Sequence, residues 1–314
     1  MIGLSIETSC DETSVAIIEN GRKVLSNIVS TQIDIHKEFG GVVPEIASRK
    51  HLTNISYVVN EAIKEAKISF DDLDYIGVTY GPGLIGALLV GVSYAKSLAY
   101  SLNIPIVPTH HIEGHIAANY LTYNELKPPF LALVVSGGHS HLIHVKDYSK
   151  FEIIGKTRDD AVGEAFDKVA RVLGLPYPGG PEVSKLAING KRTYTLPKTK
   201  FDNLDFSFSG IKTAVINIAH KEGESLRKAD MATSFEQTVC EELIFNTLRA
   251  VNMLKIDKVV LAGGVSANRV LREMLEKSAK ENGFKAYMPD LKYCTDNAAM
   301  IGSAAHYNYV SGKY

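Results

Sequence analysis

One pattern in this chain occurs twice, and that repetition constrains the fold more than any other feature. "MIGLSIET" reads as a strand, "SCDE" as a turn and "TSVAIIE" as a second strand. "KVLSNIVST", after the hairpin signal Asn20-Gly21, reads as a third. At Pro129 the pattern restarts: "FLALVVSGGHSHLIHV" is strand–turn–strand and "KFEIIGKT" the third strand. Each meander leads to strand–glycine turn–helix units. "DYIGVTYGPG" precedes the apolar helix "LIGALLVGVSYAKSLAYSL" in the first half, and "DKVVLAGG" precedes "VSANRVLREMLEKSAKEN" in the second. The doubled pattern predicts an α/β protein of two similar lobes around a central ligand cleft, with ligands at the C-terminal ends of the strands. The expected first lobe is 1–108 plus 297–314. The second is 109–296, carrying most of the metal and donor site.

Bulk properties narrow the classes. With 314 residues and 45% hydrophobic content there is material for two cores. A net charge of −1 argues against nonspecific coating of nucleic acid, but a nucleic-acid substrate held by a local basic patch stays open. Cys10, Cys240 and Cys294 are far apart with no CxxC, which suits a reducing compartment and argues against a cysteine zinc site. The chain opens on a strand, with no visible targeting segment. Helix 84–102 reads as well buried, too short and interrupted for a membrane span. A cytoplasmic protein without membrane attachment is expected.

Six constellations carry chemistry. "GLSIETSCDET" delivers Glu7, a small-residue turn, then Asp11 and Glu12; its amides can cradle a phosphate, or it is a polar hairpin turn. In "THHIEGHIAANYL", His111 and His115 are four apart, about 40° apart on one helix face, a half-site for a divalent metal. A helix-surface histidine pair gives the same spacing. "GEAFDKVARVLGLPYPGGP" is an amphipathic helix followed by a glycine turn at 177–181 where backbone can approach a ligand. In "VVLAGGVSANRVL" a glycine pair lies between strand and helix, with Ser266 as the expected N-cap and Asn268 at the helix start. In "YCTDNAAM", Asp296 is either an N-cap or the carboxylate of a two-histidine-one-carboxylate metal site. In "LVVSGGHSHLIHV", His139 and His141 share one strand face and His144 the other, and Ser136-Gly137-Gly138 matches the "ETSCDE" turn in position.

"IETSCDET", "GGVVPEIASRKH", "YGPGLIGALLVG", "HIEGH", "VSGGH", "GEAFDKVARVLGLPYPGGP", "FSFSGIKT", "GGVSAN" and "CTDNAAM" together resemble the ordered motifs of one family. It is the TsaD-type (Gcp) tRNA threonylcarbamoyladenosine transferases of the actin, sugar kinase and Hsp70-type ATPase (ASKHA) superfamily. The resemblance implies two ASKHA lobes and a reaction: threonylcarbamoyl-adenylate donates its threonylcarbamoyl group to N6 of adenosine 37 in tRNAs reading ANN codons, and AMP leaves. It implies one iron or zinc ion held by His111, His115 and Asp296. Val134, Val135, Ser136, Gly137 and Gly138 would line the donor. Asp167, Gly180 and Asn268 would contact its ribose or adenine, with Ser184 beside them, where some relatives have Asp. Asp11 and Glu12 would face the reacting end, with Asp11 as general base. The implied partners are an inactive TsaB-type paralogue and a small TsaE-type ATPase. Lys185, Lys191, Arg192, Lys198, Lys200 and Lys212 are candidate tRNA contacts.

The rival readings are a metalloprotease and the inactive paralogue itself. A protease general base belongs next to the first histidine, whereas Glu113 follows His111 by two positions. The inactive paralogues lack HIEGH and CTDN, and both are present here.

Overall fold

The computed structural model describes residues 1–314. The first half runs β1 (Ile2–Glu7), β2 (Glu12–Glu19), β3 (Lys23–Thr31), α1 (Ile33–Lys37), α2 (Pro44–Ala66), β4 (Tyr75–Gly81), α3 (Ile85–Leu102), β5 (Ile106–His110) and α4 (His111–Thr122). The second runs β6 (Phe130–Val135), β7 (Ser140–Asp147), β8 (Lys150–Lys156), α5 (Val162–Leu173), α6 (Gly179–Ala187), α7 (Ser209–Glu222), α8 (Lys228–Leu254), β9 (Lys258–Ala262), α9 (Arg269–Asn282), β10 (Lys285–Tyr287) and α10 (Ala298–Val310).

The duplication is real at the level of topology. One sheet has the order β3-β2-β1-β4-β5 and the other β8-β7-β6-β9-β10, so each strand has a counterpart. In both, the first strand of the meander pairs antiparallel with the second and parallel with a later strand, β1 with β4 and β6 with β9. Both central strands are almost wholly buried, as strands covered on two faces must be. Alternation assigns the faces of β1. Leu4 and Ile6 join Ile55, Val58 and Val59 of α2 and Ala95 of α3 in one core, while the Ser5 hydroxyl between them donates to the Ala298 carbonyl at the start of α10.

The partition differs from the expected one. One compact unit is Met1–Pro128, Asp147–Lys150 and Pro289–Tyr314; the other is Pro129–Lys146 and Phe151–Met288. The boundary at 108 fails because α4 packs against α10, and α10 against β1, β2, β4 and β5. Both histidines and Asp296 therefore lie in the first unit, not the second. A second difference concerns α3. Its buried stripe is Ala87, Gly91, Ala95 and Ala99, small residues that let the helix lie close to its neighbours. Larger apolar residues point outward, Ile85 at 79% and Leu89 at 59% exposure. The helix is long and apolar enough to cross a membrane by length and composition alone, and only 28% of it is buried.

Within the second unit, Glu242 on α8 is buried, with the Ser207 and Thr199 backbone as its only, weak hydrogen-bonding neighbours. Burial pushes its carboxyl up to about 7, from an ordinary 4.5. The folded chain thus binds this proton more tightly than the unfolded chain does. The stability that Glu242 contributes is fully present below about pH 4.5 and is lost as pH rises through about 7, by on the order of 2 kcal/mol allowing for partial hydration. Glu242→Gln is expected to abolish that decline. Urea unfolding at pH 5 and pH 8 measures it, and an unchanged difference between the two pH values would assign it to another group.

Candidate metal centre and nucleotide-binding residues

The metal candidates are placed by three well-anchored segments. β5 runs into α4 without an intervening loop, and His110 caps α4 by accepting from the Ile112 amide through Nδ1. His111 and His115 thereby fall on the first turn and a quarter of α4, facing inward at 7% and 1% exposure. Asp296 immediately precedes Asn297, and it is Asn297 that caps α10, accepting from the Met300 amide. The start of α10 is held further by the Ser14 hydroxyl at the Ala298 amide and by Asn27 Oδ1 at the Ala299 amide. Asp296 is thus not the cap, and its carboxylate is left to meet the histidines.

Asp296 Oδ1 lies 3.3 Å from His115 Nε2 and 3.5 Å from His111 Nε2. One ligand atom from each of the three residues falls within 4.8 Å of the others. Tetrahedral ligands about 2.1 Å from a zinc ion stand about 3.4 Å apart, so the spacing fits a small divalent cation. Neither ring nitrogen of His115 has a hydrogen-bond partner although both are buried. Leaving buried polar atoms unpaired is costly, and coordination through Nε2 accounts for one of them. The donor set, two imidazoles and a carboxylate with positions left over, suits iron(II) or zinc.

Glu7, singled out in the sequence only as a strand end, stands behind the cluster. It is fully buried, and its Oε2 lies 3.0 Å from His111 Nδ1 and accepts from the Thr79 hydroxyl at 2.7 Å. A carboxylate at Nδ1 fixes the tautomer that presents Nε2 outward. Burial alone would lower the His111 pKa, but Asp296 and Glu7 outweigh it and raise it well above 6.5. Burial would raise Asp296 and Glu7, and in both the charge on His111 outweighs it and lowers them. Burial lowers His115.

Asp11 and Glu12 lie in and just after the β1–β2 turn, in the same unit. Asp11 is 6% exposed. Burial, together with the charges of Asp296 and Asp11, pushes Glu12 up to about 10. Glu113, the displaced glutamate of HIEGH, turns away from the cluster and accepts from Asn308 Nδ2.

In the second unit, Val134 and Val135 are fully buried within β6, so only their backbone can line a ligand. Ser136 donates its amide to the His139 carbonyl, and its hydroxyl accepts from the His139 amide. The turn's remaining donors are the Ser136 hydroxyl and the amides of the exposed Gly137 and Gly138. Two other glycines permit this turn. A Cβ at Gly163 would meet the Ser136 carbonyl at 2.7 Å, and Gly263, at φ +90, would bring one within 2.4 Å of the Val135 carbonyl. The start of α5 and the end of β9 can therefore approach the turn closely.

The "YPGGP" segment is not a free turn but the opening of α6. Asp167 on α5 accepts from the Gly179 amide at 2.7 Å, and burial raises its carboxyl; Gly180 has open space beside it. Ser266 lies in a short 3-10 turn and does not cap α9. Asn268 does so, accepting from the Leu271 amide. Asn268 also joins Ser184 and a residue that no sequence motif points to, Glu236 on α8. Several candidate tRNA cations are already engaged. Lys212 is mostly buried against Asp160, Arg192 and Lys198 both pair with Glu241, and Lys200 lies over the Phe245 ring.

Comparison with known proteins adds to this geometry. The family model described as TsaD, tRNA N6-adenosine threonylcarbamoyltransferase, matches residues 23–303. Proteins named tRNA N6-adenosine threonylcarbamoyltransferase are 55% identical in Clostridium botulinum strain Hall and 56% identical in Clostridium perfringens strain SM101. Each match covers 99% of this chain and 93% of the relative. Among solved structures, full-length HypF aligns with a TM-score of 0.68 at 16% identity, over 98% of this chain and 46% of HypF. Component A of the Acidaminococcus fermentans (R)-2-hydroxyglutaryl-CoA dehydratase aligns at 0.57 and 16% over the full length of both. At such identity these two likenesses concern the fold alone, α/β with two five-stranded sheets of matching strand order.

Proposed function

The chain belongs to the tRNA N6-adenosine threonylcarbamoyltransferase family, and from that premise we propose how its residues carry out the transfer. The donor is threonylcarbamoyl-adenylate and the acceptor is N6 of adenosine 37 in tRNAs reading ANN codons. The bond from the carbamoyl carbon to the phosphate oxygen breaks, a bond from that carbon to N6 forms, AMP departs, and N6 loses a proton. The buried His111–His115–Asp296 cluster, with Glu7 behind it, is the observation that carries this reading.

AMP is a competent leaving group, so no covalent nucleophile is required. A bound iron or zinc ion would supply Lewis acidity toward the donor's oxygens. His111, His115 and Asp296 would hold that ion, and Glu7 would fix the His111 tautomer. Asp11 takes the N6 proton. The amides of Gly137 and Gly138 serve as donors to the adenylate's charged end, while Asp167, Gly180, Ser184 and Asn268 serve its adenosine portion.

A protease is disfavoured because Glu113 is bound to Asn308 and not to the metal candidates. An inactive paralogue is disfavoured because the whole cluster is present. The exposed apolar residues of α3 suit a docking paralogue of the TsaB type, with a TsaE-type ATPase as a further helper, and the location is cytoplasmic. The test is an assay with unmodified tRNA, threonine, bicarbonate, ATP and the adenylate-forming enzyme, omitting each helper in turn. Threonylcarbamoyl-adenosine at position 37 is expected only with this chain present. Its formation without this chain would overturn the reading.

A further inference from the structure

Ser184 occupies a position where a carboxylate would be well suited to read a sugar hydroxyl, yet serine carries no charge. The structure supplies the charge from a different helix. Glu236 on α8 is 3% exposed, and its Oε1 accepts from the Ser184 hydroxyl at 2.6 Å and from Asn268 Nδ2 at 2.7 Å. Asn268 Nδ2 also donates to Ser184 Oγ at 3.0 Å, and Asn268 Oδ1 accepts from the Leu271 amide at 2.9 Å. α6, α8 and the start of α9 thus converge on one closed network.

Hydrogen-bond donors and acceptors decide what the network can recognise. Asn268 Nδ2 donates to both Ser184 Oγ and Glu236 Oε1, and the Ser184 hydroxyl is spent on Glu236. Ser184 and Glu236 then offer a ligand acceptors only: a lone pair on Ser184 Oγ and Glu236 Oε2, which takes part in neither bond. Such a pair beside a carboxylate repels a phosphate and selects a group that donates. On an adenylate, the ribose hydroxyls are such groups. Because the Ser184 hydroxyl donates its hydrogen bond to a carboxylate, its oxygen accepts more strongly than an isolated serine's would.

We propose that Glu236, acting through Ser184, is the positioning residue by which this chain recognises a ribose hydroxyl of the adenylate. This rests on the reading that Ser184 and Asn268 serve the donor's adenosine, and the experiment separates the two. AMP, 2′-deoxyAMP and 3′-deoxyAMP are titrated calorimetrically into the full chain and into three variants: Glu236→Gln, Ser184→Ala and Ser184→Asp/Glu236→Gln. AMP should bind the wild type more tightly than at least one deoxy form, by about tenfold, the discrimination one charge-assisted hydrogen bond provides. Glu236→Gln and Ser184→Ala should lose that preference while leaving that deoxy form's affinity within about twofold. The double variant, with its carboxylate moved to position 184, should regain it. Equal weakening of all three nucleotides by Glu236→Gln would make the glutamate a purely structural prop and overturn the proposal. So would an unchanged preference. If AMP fails to bind the wild type, the assignment of this region to adenosine falls, and the proposal with it.

Discussion

Asp296→Asn is expected to strip the metal from the chain and lower threonylcarbamoyl transfer at least about a hundredfold. The amide preserves the shape of the carboxylate but removes the one anionic ligand between His111 Nε2 and His115 Nε2. Two neutral imidazoles remain, a half-site. The same cluster makes metal affinity depend on pH in a definite direction. Flanked by Asp296 and Glu7, His111 is raised well above 6.5, so without a cation it holds a proton at neutral pH. A cation must expel that proton. Affinity should therefore rise with pH, by up to about tenfold per unit while His111 stays protonated. Asp296→Asn removes the stronger of the two raising charges, so whatever affinity survives should depend less on pH. Elemental analysis of the purified variant and iron or zinc titrations at several pH values measure both effects. Full metal content in the variant would place the ion elsewhere.

The sequence showed this site only in part, for identifiable physical reasons. The meander strands were legible because their periodicity is local, and the repeat at Pro129 announced a second sheet of the same order. The chain's return was not legible. Nothing in the spacing of α4 or α10 tells that they pack on each other, which is why a boundary drawn before His111 put the histidines in the wrong unit. Apolar composition made α3 look buried, but its small residues face in and Ile85 and Leu89 face out. Glu7 was named without a role and Glu236 not at all, because a carboxylate ending a strand or in mid-helix ordinarily faces water. Only the fold shows one at His111 Nδ1 and the other between Ser184 and Asn268. Asp296 and Asn297 were both plausible caps by composition; hydrogen bonding gives that role to Asn297 and frees its neighbour.

Adjacent carboxylates at positions 11 and 12 invite the assumption that they share one role, and the structure separates them. Burial, then the charges of Asp296 and Asp11, pushes Glu12 up to about 10, so it is a neutral acid at physiological pH. Burial is the largest of these causes, and a cation at Asp296 would not remove it. A protonated carboxyl cannot take a proton from N6, but it can donate a hydrogen bond. Glutamine imitates it in shape and charge, so Glu12→Gln should keep the transfer rate within about tenfold of the wild type. On the proposed mechanism Asp11 is the base. Asp11→Asn should lower the rate at least about a hundredfold, the range that loss of a general base brings, with metal content unchanged. The wild type should also lose activity as pH rises through about 10, where Glu12 ionises, and Glu12→Gln should lack that alkaline limb. Single-turnover rates with preformed donor, from pH 6 to pH 10.5, measure all three. If Glu12→Gln proves as damaging as Asp11→Asn, the proton passes through Glu12, and the carboxylates work as a coupled pair rather than as an acid beside a base; if the alkaline limb survives in Glu12→Gln, it belongs to another group.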